Sequence, residues 1–316
     1  MKLDTVCWRA PSARLTLLLA GLILSALASA APTETLLVAF KRDVKVISSR
    51  DSKDRADQIR RAFLHHFGAT PADAQSSTEL LKARLYGLAT VAHHAPDEGL
   101  AKEAAALASI LHGRQAADHR EISYVHRMLL AQRDFDGASY WSKRFPEVQL
   151  TTVPKVERMS APQRHNAYAV SADGSRLLEL PLDMHPYSGV LILGHPACGF
   201  SREAAAWMRT IAPERRPSTV RWLTPVDGNL QLPLIAEWNA AHRDQALLIA
   251  RHERDWPFVQ VWDTPQFFIF SNGTLQLHLD GWNERTQQAL TRWLDLQGQA
   301  RPMNRSANRG NNEDDA

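Results

Sequence analysis

The stretch that most constrains this chain is Val190-Leu191-Ile192-Leu193, which runs directly into Gly194-His195-Pro196-Ala197-Cys198-Gly199-Phe200-Ser201 and then a segment carrying Ala204, Ala205 and Trp207. Four consecutive aliphatic residues bounded by a turn read as a buried strand, and the segment after Ser201 reads as a helix. A strand–turn–helix unit sets Cys198 at the first turn of that helix, beyond the carboxyl end of a central strand. The helix N-terminus carries partial positive charge and unpaired N–H groups, both of which favour thiolate over thiol. A thiolate is the nucleophile of disulfide exchange.

The pattern on either side predicts two regions. Over 31–150 the apolar residues recur at helical spacing (Ile59, Ala62, Phe63, Phe67; Leu80, Leu81, Leu85, Leu88, Val91), punctuated by Gly68, Pro71, Pro96, Gly99 and Gly113, which predicts an all-α helical-hairpin domain. Residues 151–165 hold Pro154 and Pro162 and few large apolar side chains, and read as a linker. Over 166–298 strands and helices alternate. A hairpin spans Ala167–Val170 and Arg176–Leu182, and strands follow at 190–193 and 219–223. Helices are expected at 202–211, 234–250 and 283–296, and a second hairpin turns at Asn272-Gly273. The fold class is therefore α/β, a mixed sheet flanked by helices. The polar tail 299–316 is expected to be disordered. Asn272-Gly273-Thr274 also fits a glycosylation acceptor, but Asn-Gly between apolar runs is the usual hairpin turn.

Residues 1–30 have a basic start (Lys2, Arg9, Arg14), an apolar stretch from Leu15 to Leu27, and Ala28-Ser29-Ala30 before Ala31. This is the layout of a cleaved secretory signal, which points to a periplasmic or secreted protein with no stable membrane insertion after cleavage. An uncleaved anchor is the other reading, but the apolar stretch is short for a span. Cleavage removes Cys7, leaving Cys198 alone in an oxidising compartment, where no internal disulfide can form. The chain carries 37 Lys and Arg against 34 Asp and Glu, without a basic run interleaved with aromatics, so nucleic acid is not an expected partner.

Strand, turn, Cys198-Gly199-Phe200-Ser201 and helix, with Thr264-Pro265-Gln266 opening a Phe-rich hairpin that ends at Gly281-Trp282, resemble the thioredoxin superfamily. The resemblance covers about 167–296, including the hairpin ahead of the site and the extra strand and helix of exported thioredoxin-like reductases. It implies a thioredoxin-like mixed sheet, with Cys198 as the attacking cysteine and Pro265 as the cis-proline facing it. The backbone of Thr264 is then turned toward the sulfur, where a substrate strand could pair with it. A weaker resemblance, over 121–146, is to one tetratricopeptide hairpin.

The departures define the expected chemistry. Ser201 stands where the resolving cysteine would be and Ala197 where thioredoxin has tryptophan, and strand 190–193 has no acid. A hydroxyl cannot resolve a mixed disulfide, so turnover requires an external thiol. Pro196-Ala197-Cys198-Gly199-Phe200-Ser201 is also similar to the motif of monothiol glutaredoxins, which makes glutathione a candidate co-substrate. The upstream lysine and later glycine pair of that family are missing, and the interval to Pro265 is longer.

The expected site thus comprises Cys198, Pro265, Ser201 and His195 for the chemistry, with Thr264, Gly199, Phe200 and Ala197 shaping substrate contact. His195 either supports the thiolate as a cation or fills the turn. The pairs His65-His66 and His93-His94 lack a nearby Cys or spaced carboxylates, so no metal or other resident cofactor is implied. Trp262 and Trp282 either wall the site or pack in the core. Three functions remain open: a monothiol thiol–disulfide oxidoreductase acting on disulfide-containing or glutathionylated proteins, a non-catalytic scaffold whose helical domain holds a protein partner, or a peroxide sensor that forms a sulfenic acid at Cys198.

Overall fold

The computed structural model describes residues 33–50, 54–158, 166–185, 187–217 and 219–300. The signal read at 1–30 and residues 301–316 of the expected tail lie outside the described residues, whereas Gln299 and Ala300, also assigned to that tail, end the last helix. The described chain forms two compact units, one up to Val125 and one from His126.

The first unit contains α1 (Thr33–Ser48), α2 (Arg55–Phe67), α3 (Thr78–His94), α4 (Glu98–Gly113) and the start of α5 (His119–Ala131). Its helix starts follow from sequence chemistry. Ser77 and Asp97 cap α3 and α4 by accepting the N–H groups of Leu80 and Leu100, which satisfies donors that the first turn leaves unpaired. Leu81, Leu85, Leu88 and Val91 of α3 are buried, as their helical spacing predicts, while Leu80 of the same set is only partly buried; Ala104, Leu107, Ala108 and Leu111 of α4 are buried as well.

The second unit contains the rest of α5, α6 (Phe135–Arg144), α7 (Gly199–Thr210), α8 (Leu232–Ala241), α9 (Glu284–Ala300) and an 8-stranded mixed sheet. The strands are β1 (Lys155–Arg158), β2 (Asn166–Val170), β3 (Arg176–Pro181), β4 (Gly189–Leu193), β5 (Val220–Thr224), β6 (Leu247–Ala250), β7 (Gln266–Ser271) and β8 (Thr274–Asp280). Their order across the sheet is β1-β3-β2-β6-β5-β4-β7-β8. β4 lies between β5, its parallel neighbour, and β7, its antiparallel one. All five of its residues are buried, which is why it reads as an unbroken apolar run rather than an alternating one.

The alternation of side chains along each strand separates two cores. Val190 and Ile192 join Trp222, Phe267 and Ile269 beneath residues of α6, α7, α8 and α9. Leu191 and Leu193 join Leu223, Phe268 and Phe270 on the other face. That second core draws its residues from strands and from loop segments around 182–187 and 256–259, so the helices concentrate on one face.

Three sequence expectations need correction. The stretch read as linker contributes β1, which pairs in parallel with β3. The helix expected over 234–250 ends at Ala241, and Leu247–Ala250 forms β6. A short apolar run has no periodicity that separates helix from strand, and tertiary pairing with β5 and β2 decides it. The end of the helical region also differs, since Leu130 and Ala138 belong to the core under the sheet. The second hairpin turns where expected: Asn272 and Gly273 both have positive φ (48° and 73°), the geometry of a two-residue turn that Asn-Gly adopts readily.

Candidate functional site

Gly194 follows β4 where a Cβ would lie 2.9 Å from the Trp222 ring, so the chain can leave the sheet over that indole only as glycine. His195 then closes a tight turn. Its carbonyl accepts the Cys198 N–H (2.9 Å) and its Nδ1 accepts the Ala197 N–H (3.1 Å). With Nδ1 engaged as acceptor, the ring proton of the neutral form sits on Nε2. Burial holds the His195 pKa below its ordinary value, with the Asp227 carboxylate acting in the opposite sense. The geometry is thus that of a turn-filling histidine.

Cys198 is the N-cap of α7. Its carbonyl accepts the Arg202 N–H (3.1 Å), and Arg202 Nη1 reaches back to the Pro196 carbonyl (2.8 Å), bracing the turn from the helix side. The sulfur is half-buried, while Ala197, Gly199 and Phe200 are exposed, Phe200 at 56%. An approaching molecule therefore meets Phe200 and the bare backbone of Gly199 beside the thiol.

Two groups flank the sulfur. Ser201, fully buried, accepts the His195 N–H through Oγ (3.2 Å), which leaves the hydroxyl proton available to the sulfur. On the other side the thiol donates to the Thr264 carbonyl (3.4 Å). Burial of the sulfur works against ionisation. Hydrogen bonding from the Ser201 side chain and N–H, from the Thr264 side chain and from the Phe200 N–H outweighs it, and the Cys198 pKa lies below its ordinary value.

Thr264 reaches the sulfur because of sheet register. Leu193 at the end of β4 pairs with Gln266 at the start of β7, so the segment just before Gln266 stands opposite the turn that carries Cys198. The Thr264–Pro265 bond is cis and Pro265 is buried, its carbonyl accepting the Gly281 N–H (2.9 Å).

The structure therefore brings Cys198, Ser201, Thr264, Pro265 and His195 together and sets Ala197, Gly199 and Phe200 at the opening. Trp282, partly buried, packs against the first core with its ring tilted beside those of Trp207 and Phe267, and Trp262 packs against the second core. Sequence reasoning missed Arg202, Gln266 and Trp222, because only folding reveals which backbone groups these side chains touch. Among the described residues no cluster of three or more His, Cys, Asp or Glu could hold a metal ion, and no helix is long and apolar enough to cross a membrane. Comparison with protein-family models, with curated proteins and with solved structures finds no match for this chain.

Proposed function

We propose that this chain is a thioredoxin-like thiol–disulfide oxidoreductase that works through Cys198 alone, in a periplasmic or secreted setting. The observation that carries the reading is the sulfur itself: a half-buried thiol at a helix start, between the Ser201 hydroxyl and Thr264, with its pKa held down by hydrogen bonds.

The chemistry balances with one cysteine. The Cys198 thiolate attacks one sulfur of a substrate disulfide or glutathione adduct, the substrate S–S bond breaks, and the second sulfur leaves as a thiolate. An external thiol such as glutathione then attacks the substrate-derived sulfur of the mixed disulfide, and Cys198 departs as thiolate. The Ser201 hydroxyl and the N–H groups of Phe200 and Ser201 support the anion both before attack and on departure. Exposed Phe200 and Gly199 form the contact surface for the incoming chain.

The test is glutathione-dependent reduction of a mixed-disulfide substrate. Cys198→Ser is expected to abolish turnover, whereas full retention of activity in that variant sinks the assignment.

A further inference from the structure

We propose that Gln266 is a positioning residue for the thiol site, its side chain holding the 261–264 loop so that Thr264 meets Cys198. The inference rests on the thiol reading above and extends it to a residue that touches neither the sulfur nor the opening.

Gln266 is the first residue of β7 and is 2% exposed. An amide in that position destabilises the fold unless its polar atoms are bonded. Nε2 donates to the carbonyls of Val261 and Asp263, each at 2.7 Å, and Oε1 accepts from His278 Nε2 at 2.9 Å. Carbonyl oxygens only accept, so the orientation of the amide is dictated by its partners.

The backbone on either side explains the direction of the effect. Gln266 is paired with Leu193 of β4 and with Asp280 of β8, so its own main chain is anchored in the sheet. The loop is the part being held. Both protons of one nitrogen draw together two carbonyls two residues apart, and the next residue is Thr264, whose own carbonyl takes the Cys198 thiol. His278 completes the device: its ring stacks on Phe268 with centroids 4.6 Å apart and planes 5° from parallel, which orients Nε2 toward the amide. A chain of contacts therefore runs from the outer strand β8 through Gln266 to the loop and the sulfur.

The test is the pH profile of iodoacetamide labelling at Cys198, read by mass spectrometry of the Cys198 peptide on the full chain, with thermal melting as the check of folding. Gln266→Met keeps the shape and removes every hydrogen bond. Gln266→Glu keeps the acceptor and removes the donors. Each is expected to shift the apparent pKa of Cys198 by roughly a half to one unit, read as about a threefold to tenfold change in labelling rate at pH 7. His278→Phe retains the stack and removes the donor, and is expected to shift the profile in the same direction by less.

A parent thiol with a lowered pKa and Gln266 variants that share its profile overturn the role of Gln266 alone. Should the Gln266 variants fail to fold, His278→Phe decides: a shifted profile supports the role and an unshifted one overturns it. A parent thiol that titrates at its ordinary value overturns the thiol reading itself.

Discussion

At the scale of single residues, Cys198 and Ser201 form a pair whose chemistry differs from that of two cysteines by one atom. Ser201 is wholly buried and hydrogen-bonded to the sulfur, so a thiol placed there would lie within reach of Cys198. Ser201→Cys is expected to form an internal disulfide on mild oxidation, losing two titratable thiols per chain under conditions where the parent loses none. Thiol counting with a chromogenic disulfide checks this, and a variant that keeps both thiols would place the two side chains apart. Ionisation at Cys198 also links to folding. Because its folded pKa is below the unfolded value, the thiolate contributes stability that is fully present above the unfolded pKa and is lost as pH falls through the folded one.

At the scale of elements, one side chain on α8 clamps the first residue of β6. Asn239 accepts the Leu247 N–H through Oδ1 (2.7 Å) and donates Nδ2 to the Leu247 carbonyl (3.1 Å), so a single amide satisfies both main-chain groups of the residue that opens the strand. Nearby, Trp238 Nε1 donates to the Gln245 carbonyl (3.0 Å), tying the same helix to the connection before β6. Asn239→Ala leaves the Leu247 groups without that partner and is expected to cost about 1–3 kcal/mol. Urea denaturation gives the magnitude, and accelerated hydrogen exchange confined to Leu247 and its neighbours would locate the effect. A global loss with unchanged local protection would count against Asn239 as the strand's clamp.

At the scale of the whole molecule, the carboxyl ends of β5 and β6 are drawn together by Arg133, which sits in the turn between α5 and α6. Its guanidinium donates to the Asp227 carbonyl (2.9 Å) and the Ala250 carbonyl (2.8 Å), residues far apart in sequence. Burial lowers its pKa to about 10, with Asp227 and Tyr168 acting in the opposite sense. Just past β6, burial raises Glu253 to about 7. The sign follows from linkage: a carboxyl that binds its proton more tightly when folded contributes stability below its ordinary value of 4.5, and that stability is lost as pH rises through 7. Glu253→Gln is therefore expected to stabilise the protein at pH 8 by on the order of 2 kcal/mol and to change little at pH 4. Melting curves at the two pH values test it, and an equal effect at both would contradict the assignment to titration of Glu253.

The sequence by itself determined what depends on neighbours in the chain. The periodicity of α2 and α3, the Asn272-Gly273 turn, the buried run of β4 and the placement of Cys198 at a helix start all rest on local spacing, which is why they were legible. Only the tertiary structure decided the rest. Leu247–Ala250 became a strand because β5 and β2 stood ready to pair with it, and β1 emerged from a Pro-containing stretch because β3 offered an edge. The same holds for the site: Thr264 meets the sulfur through the register of β4 against β7, and Gln266 acquires its partners only when β8 brings His278 alongside. Hydrogen bonds and pairings between distant residues leave no periodic trace in sequence, so the chemistry around Cys198 became readable only once the sheet was assembled.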